Sequence, residues 1–229
     1  MKKRIISIFL ILAIVASLFA VSAVNTSAYS NTPTGPISKS VLPYSDGKYI
    51  NVNWQHDGLL TKKYCISYAE LGKENWKSIY TNSSAQKYVN IAGLNRDKTY
   101  KIRVSALGLN KQYSRYSALH TVQLRTEITW CRTKNIKKIT KNKITYKIDQ
   151  AEIGLANITS AKIDHFNIAL FKNGKLISNK YKTNNHYFYS GLYYTTDKIA
   201  YQAQAVYVVG GHEFTSAWSH PKTVNTPHK

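Results

Sequence analysis

The sequence predicts an all-β protein built from two β-sandwiches in tandem. Short runs in which apolar and polar residues alternate follow one another along the chain, and this period of two marks strands with one buried face. The composition agrees, because 18 Tyr and 4 Trp accompany many Ile, Val and Thr residues. About 200 residues follow an apolar leader, which is enough chain for two cores of ordinary size.

The apolar leader is typical of a secretory signal peptide. Basic residues near the N-terminus precede an uncharged stretch, 5–20, that is shorter than a comfortable membrane span, and Ala23 or Ala28 offers a cleavage site. The alternative is an uncleaved N-terminal anchor. We expect a signal peptide at 1–28, a flexible lead-in at 29–36, and a mature chain with no integral membrane span.

In the first half, alternating runs predict about seven strands, the number expected of an immunoglobulin-like sandwich. The run 49–54 places Ile50, Val52 and Trp54 on one face, as a half-buried strand requires. Further runs lie at 64–68, 76–80, 88–91, 100–107 and 119–124, with one more strand expected before Tyr49.

One stretch of this half, Gly93–Ala106, reads GLNRDKTYKIRVSA and resembles a fibronectin type III domain. In that family the Leu packs under the turn, and a Tyr six residues later forms the tyrosine corner by bonding back to the loop backbone. Leu94 and Tyr100 match these positions, and Trp54 matches the Trp of the second strand. The resemblance implies a fibronectin type III domain at 37–126 with Tyr100 as its structural corner.

The second half repeats the plan and is expected to form a divergent fibronectin type III-like domain at 127–227. Tyr116-Ser117 lies 102 positions before Trp218-Ser219, which indicates an internal repeat. Asn173-Gly174 is a strong signal for a two-residue hairpin. The connection 150–162 is expected to be irregular or a short helix.

The segments around the repeated serines resemble the motif that precedes the last strand in fibronectin-like receptor domains. In those domains aromatic rings alternate with basic side chains of the neighbouring strand in a cation–π ladder. Lys101 and Arg103 are placed to supply the cations for the rings of 113–117. We expect this ladder to be structural.

The formal net charge is +21, and it becomes +18 without the three basic residues of the leader. Such an excess favours anionic polymers or surfaces. The densest cluster lies in a run, 128–148, that has no acidic residue, and its members are the candidate polyanion-binding residues: Arg132, Lys134, Lys137, Lys138, Lys141, Lys143 and Lys147. The alternative is a solvated strand pair in which lysines guard a sheet edge against aggregation.

A second candidate surface is aromatic. Planar exposed rings stack on sugar faces, so a carbohydrate-binding patch is predicted at Tyr187, Tyr189, Tyr193 and Tyr194. The alternative is an ordinary strand with Phe188 on the face opposite its two tyrosine neighbours.

The sequence offers no catalytic residues, no metal site and no cofactor-binding motif. The 11 acidic residues fall mostly at predicted turns, and the seven His residues lack metal-ligand spacing. Cys65 and Cys131 lie in different predicted domains, and free thiols are favoured over a disulfide between them.

We therefore expect a secreted, non-enzymatic binding or adhesion protein that engages an anionic cell-surface or extracellular polymer. The alternatives are a carbohydrate-binding accessory protein that uses exposed aromatic residues and a protein–protein interaction module. The location is expected to be extracellular, with any retention at the cell surface noncovalent. Nucleic acid is not an expected partner of a secreted chain.

Overall fold

A computed structural model describes residues 32–141, 144–189, 193–194 and 197–224, with the backbone alone at 133–141, 144–150, 187, 189, 193 and 194. The described residues are all-β and contain no helix. The strands of the first half are β1 Ile37–Tyr44, β2 Tyr49–Gln55, β3 Thr61–Glu70, β4 Lys77–Tyr80, β5 Tyr88–Ile91, β6 Thr99–Gly108 and β7 His120–Gln123. Those of the second half are β8 Glu127–Lys141, β9 Ile144–Ala156, β10 His165–Lys172, β11 Lys175–Thr183, β12 Tyr187–Tyr189, β13 Tyr193–Tyr194, β14 Ile199–Val209, β15 His212–Thr215 and β16 Lys222–Thr223.

The first sandwich packs the antiparallel sheet β1-β2-β5 against the antiparallel sheet β4-β3-β6-β7. The alternation predicted for β2 places Ile50, Val52 and Trp54 in the core, where the indole packs edge-on against the Tyr64 ring at 5.1 Å. The seven strands and their order confirm the immunoglobulin-like, fibronectin type III-like sandwich that the sequence predicts.

The tyrosine corner is formed as the family resemblance implies. The backbone N–H of Asn95 donates to the Tyr100 hydroxyl at 3.0 Å, and that hydroxyl faces the Asn95 carbonyl at 3.4 Å. Leu94 packs against the core beside it. Burial of the Tyr100 ring raises the pKa of its hydroxyl, so the group stays protonated and keeps its donor.

The second sandwich packs the sheet β11-β10-β14-β15, with β16 added on β14, against a sheet centred on β9. On β9, Ala151, Ile153 and Leu155 belong to the core of the second sandwich, and the strand continues to Ala156. The expected irregular or helical connection at 150–162 is therefore wrong over its first half, and the loop begins only after the strand ends.

Two hairpins of this sandwich have turns whose backbone angles suit the residues found there. Asn173 and Gly174 have φ angles of 50° and 80°, and Gly210 and Gly211 have φ angles of 59° and 78°. Positive φ at both central residues is the requirement of a type I′ turn, which Asn-Gly and Gly-Gly meet at little steric cost. The hairpin predicted at Asn173-Gly174 is confirmed.

The internal repeat has a structural cause in two pairs of serines. Ser114 and Ser117 follow β6 and bond to it, whereas Ser216 and Ser219 follow β15 and bond to β14. Each serine N–H donates to a carbonyl of that strand, and each Oγ accepts from a strand N–H at 2.8–3.0 Å. Each hydroxyl then donates to the carbonyl of the following residue. The serine side chains thus form hydrogen bonds with the strand at positions where a neighbouring strand would otherwise supply backbone hydrogen bonds.

From Thr32 onward the chain forms one compact unit, because the β1–β2 turn of the first sandwich docks on the second. The N–H of Gly47 donates to the Thr215 carbonyl at 3.2 Å, and Asp46 Oδ1 accepts from the Gln204 amide at 2.8 Å. Leu42 on β1 is fully buried and belongs to the core of the second sandwich. The two sandwiches therefore share apolar contact as well as hydrogen bonds.

The linker and one loop add to this junction. Ala217 N–H donates to the Leu124 carbonyl at 2.7 Å, and the Thr126 and Ser216 hydroxyls lie 2.8 Å apart. The edge of β7 pairs with the β9–β10 loop, since Thr121 and Ser160 exchange two hydrogen bonds of 2.8 Å each. These bonds hold the two sandwiches in one relative orientation.

The described part of the expected flexible lead-in, 32–36, lies against the first sandwich. Pro33 and Pro36 are buried, and the Thr34 carbonyl lies 2.9 Å from Nε2 of His56. These five residues therefore contact the first sandwich, and the flexibility expected of the lead-in stays a prediction.

We predict that Gly47→Ala destabilises the protein by about 2–4 kcal/mol. A Cβ at this position would stand 2.5 Å from the Leu124 carbonyl oxygen and 2.8 Å from the Ala217 nitrogen, on a backbone with φ of 68°. Gly72→Ala is the control, because Gly72 has a similar φ of 84° with nothing within 4 Å, and we expect it to cost about 1 kcal/mol. Urea unfolding of both variants measures the difference, and equal losses would contradict the role of the close contact.

Candidate functional site

The predicted basic cluster lies mostly on the hairpin formed by β8 and β9. Lys134, Lys137, Lys138 and Lys141 are on β8 and Lys147 is on β9, while Lys143 lies outside the described residues. The antiparallel register places Lys138 opposite Lys147. The strand-pair geometry expected for this run is confirmed, and the polyanion assignment stays a prediction.

Arg132, at the start of the cluster, has an acidic partner that the local sequence did not reveal. Its Nε and Nη2 each lie 3.0 Å from Oε2 of Glu152, and its guanidinium stacks over the Trp130 ring at 4.7 Å. The register also brings Asp149 opposite Ile136. The expectation of a cluster without compensating acids is therefore wrong at Arg132, because strand pairing supplies acids that lie outside the basic run.

The predicted sugar-binding tyrosines lie on β12 and β13, which pair with β9. Tyr187 stands opposite Gly154, and Tyr193 stands opposite Asp149. Tyr189 and Tyr194 occupy corresponding places, opposite Glu152 and Ile148. Between the β12 tyrosines, Phe188 packs against the core of the second sandwich, as the strand alternative expects. The side chains of the four tyrosines lie outside the described residues, so their sugar contacts stay a prediction.

The cation–π ladder of the first sandwich is confirmed at Arg103 and Tyr116, whereas Lys101 lies over Trp76, outside the predicted segment 113–117. The Arg103 guanidinium lies between two rings, 4.1 Å from the centroid of Trp76 and 3.8 Å from that of Tyr116. Lys101 lies 4.9 Å from the Trp76 ring and forms an ion pair with Glu74. The hydrogen bonds from Lys101 and from the indole N–H of Trp76 lower the pKa of the Glu74 carboxyl.

The ladder continues into a second group that sequence reasoning missed. Lys63 Nζ lies 4.5 Å from the ring of Tyr80, and the Tyr80 and Tyr113 hydroxyls are 2.9 Å apart. Tyr80 and Tyr113 are 44% and 47% exposed, and Tyr116 is also 47% exposed. The signal lay in the alternation of β3 and β4, which places Lys63 and Tyr80 outward. Both groups form the aromatic–cation stripe on sheet β4-β3-β6-β7: Lys63, Trp76, Tyr80, Lys101, Arg103, Tyr113 and Tyr116.

The two cysteines are free thiols, as the sequence favours. Cys65 is buried, with Sγ 3.7 Å from the Ser67 hydroxyl. Burial raises the pKa of the Cys131 thiol to about 12, so it stays protonated at neutral pH. Neither site supports a nucleophile.

A polar cavity of about 400 Å³ lies at the junction of the sandwiches. Asp97 Oδ1 accepts from Nε of Arg125 at 2.5 Å and lies 3.1 Å from Nε2 of His220. Arg125 Nη1 donates to the Trp218 carbonyl at 2.6 Å, and Lys222 donates to two β8 carbonyls. These charged groups are engaged with one another and with the backbone, so the cluster acts as a clamp between the sandwiches.

Across the described ranges, no three His, Cys, Asp or Glu side chains are grouped to hold a metal ion. The same ranges include no helix of the length and apolar character that a membrane span needs.

No protein-family model and no curated protein matches the chain. Among solved structures, a myokine structure is similar at 17% identity and a TM-score of 0.35, over 40% of this chain and 96% of that one. The FN5 domain of Drosophila Lar is 27% identical with a TM-score of 0.33, over 40% of this chain and 95% of that one. The FN1–FN3 domains of chicken CNTN1 are 9% identical with a TM-score of 0.41, over 84% of this chain and 66% of that one. The strand order of the first sandwich and its tyrosine corner define the fold.

We predict that the clamp at Asp97 stabilises the protein at neutral pH and fails in acid. The hydrogen bond from Arg125, with a smaller effect of His220, lowers the pKa of the Asp97 carboxyl below its usual value near 4. Because the folded pKa lies below the unfolded one, the stabilisation is fully present above about pH 4 and is lost as the pH falls through the folded value. Asp97 is half exposed, so the effect should be less than about 1 kcal/mol.

The measurement is the difference in unfolding free energy between the wild type and Asp97→Asn from about pH 6 to about pH 2. The difference should shrink towards zero in acid. Between Arg125→Met and the double variant Asp97→Asn, Arg125→Met, the difference should be small at every pH. A difference that stays constant over this range would contradict the clamp.

Proposed function

We propose that the protein is a non-enzymatic binding module that recognises a protein partner through the aromatic–cation stripe of its first sandwich. The observation that carries the proposal is the Arg103 guanidinium held between the ring of Trp76 and the half-exposed ring of Tyr116. Arg, Tyr and Trp are the side chains enriched at the energetic centres of protein interfaces. The stripe collects these types on one face.

The stripe is also fixed in shape before any partner arrives. Two ring contacts immobilise Arg103, and the hydroxyl contact couples Tyr80 to Tyr113. Binding through such side chains loses little rotamer freedom, so a larger part of the contact energy remains as affinity. The three half-exposed tyrosines of the stripe offer a protein partner an aromatic contact surface.

We propose that the protein is extracellular. Its two domains span 37–126 and 127–227, and the second is a divergent fibronectin type III-like domain. The leader at 1–28 supports secretion by its basic start and apolar run. The bonds across the junction would hold the stripe in a fixed orientation relative to the second sandwich.

The first test places a photo-crosslinking amino acid at position 113 and, as a control, at position 181 on β11. Tyr181 is 38% exposed and lies outside the stripe. On cells that produce the protein, and on their secreted proteins, we expect one discrete adduct from position 113 only. The adduct should be lost on competition with wild-type protein and kept on competition with the Tyr80→Ala, Tyr113→Ala double variant.

The captured partner then gives the affinity test. The double variant should bind it at least about tenfold more weakly, which corresponds to about 1.4 kcal/mol. Both rings are half exposed, so the thermal unfolding of the variant should stay close to that of the wild type. The proposal that the stripe is the binding site is overturned if both positions give the same adduct or if neither gives one. It is also overturned if the double variant binds the partner as strongly as the wild type does.

A second candidate function, binding of an anionic cell-surface or extracellular polymer, is favoured by the register of β8 and β9. Lys138 stands opposite Lys147. Like charges at opposed positions destabilise an antiparallel pair. A bound polyanion would relieve that repulsion, and further lysines lie on the same hairpin.

For this candidate, we expect Lys137→Gln, Lys138→Gln, Lys141→Gln to reduce retention on washed cell walls and to flatten its dependence on salt between about 0.05 and 0.5 M. The matched control is Lys175→Gln, Lys180→Gln, Lys182→Gln, which removes the same charge from exposed positions of β11. Retention is measured by sedimentation of the walls. Equal losses in the two triple variants would show that net charge, rather than the hairpin, causes retention.

A further inference from the structure

A groove of about 710 Å³ lies between the sheet β1-β2-β5 and the β14–β15 hairpin. The outer face of the sheet supplies Asn51, Asn53, Tyr88 and Asn90, and the hairpin supplies Phe214. The volume falls within the range of about 300–1,000 Å³ that is usual for small-ligand sites. The groove is separate from the aromatic–cation stripe, which occupies the other sheet of the first sandwich.

The sheet side of the groove carries an ordered row of carboxamides. Asn53 Nδ2 donates to Asn51 Oδ1, and Asn51 Nδ2 donates to Asn90 Oδ1 at 2.7 Å. Each amide thus fixes the orientation of the next one. The row ends in a carboxamide acceptor on Asn53 and in carboxamide donors on Asn90, which is exposed.

Asparagine is an unusual choice for these positions. It is depleted in strands, where β-branched and aromatic residues fit the pleated surface better. Here three asparagines occupy neighbouring positions of β2 and β5, with Asn51 opposite Asn90. Hydroxyl groups of a ligand need both donors and acceptors, and a carboxamide supplies both on one planar group. The row therefore matches a ligand rich in hydroxyls.

Aromatic rings stand beside the amides. Tyr88, opposite Asn53 on the neighbouring strand, is 57% exposed. Tyr44 is 40% exposed, and its ring packs against Phe214 with centroids 5.7 Å apart. An exposed ring beside fixed amides offers a stacking surface with an apolar body and a polar tip.

From this arrangement we infer that the groove binds a segment of an uncharged polysaccharide. Tyr88 stacks on a sugar ring, and the carboxamides of Asn53 and Asn90 bind its hydroxyls, while the buried Asn51 orients both of them. Charge is not the means of recognition, because neutral amides form the row. Of the charged residues at the lining, Lys87 is engaged with the Tyr64 hydroxyl and ring, and Lys39 is accompanied by Glu213. Strand addition by a peptide does not fit either, since the amides lie on a sheet face and not along an open edge.

The test titrates the protein with four named probes: mixed-linkage β-glucan, xylan, α-mannan and a hexamer of N-acetylglucosamine. Calorimetry at about 0.05 and 0.5 M NaCl measures the affinity, and the side-chain NH₂ signals of the three asparagines in NMR spectra report contact directly. We expect at least one probe to bind with little effect of salt and to shift those signals. Tyr88→Ala and Asn90→Ala should each weaken its binding at least about tenfold.

Two exposed residues that do not line the groove provide controls for general truncation. Leu109→Ala and Asn82→Ala should bind the probe as the wild type does. The inference is overturned if no probe binds, if both groove variants bind normally, or if binding disappears at the higher salt. It is also overturned if only Tyr187→Ala and Tyr189→Ala abolish binding, since that result assigns the sugar site to β12.

Discussion

The close approach of Gly47 to the second sandwich is the constraint on which the larger features of this protein depend. Only a residue without a Cβ can bring the β1–β2 turn within hydrogen-bond distance of Thr215 while keeping clear of Leu124 and Ala217. The turn places Asp46 against the Gln204 amide, and Leu42 enters the core of the second sandwich. Together with the Thr121–Ser160 hydrogen bonds and the clamp at Asp97, this contact makes the two sandwiches a single compact unit.

The groove follows from that docking, because its two sides belong to different sandwiches. The amide row lies on β2 and β5, whereas Phe214 belongs to β15. A substitution in the β1–β2 turn would therefore alter the shape of the groove, although the turn contains none of the three asparagines of the amide row. The aromatic–cation stripe has no such dependence, since its strands β3, β4 and β6 form one sheet. The two surfaces can therefore be separated by experiment.

Local patterns predicted most strands and the Asn173-Gly174 hairpin, because each depends on residues close together in sequence. The resemblance of 93–106 to a fibronectin type III domain implied the tyrosine corner at Tyr100. The junction could not be predicted in this way. Gly47 looks like an ordinary turn glycine until Ala217 is brought beside it. The acid that pairs with Arg132 comes from the next strand, so its identity required the register. The amide row was missed for the same reason, since Asn90 meets Asn51 only across β2 and β5.

The large positive charge overstates how much of the cationic surface is available to a ligand. Arg125 is held by Asp97 and the Trp218 carbonyl, and Lys222 is held by backbone carbonyls. These cations stabilise the sandwiches and their junction, so they contribute to long-range attraction without being able to grip a polymer. Recognition by rings and amides needs no surplus of charge. The geometry of the described residues therefore favours the stripe and the groove over net charge as the basis of specific binding.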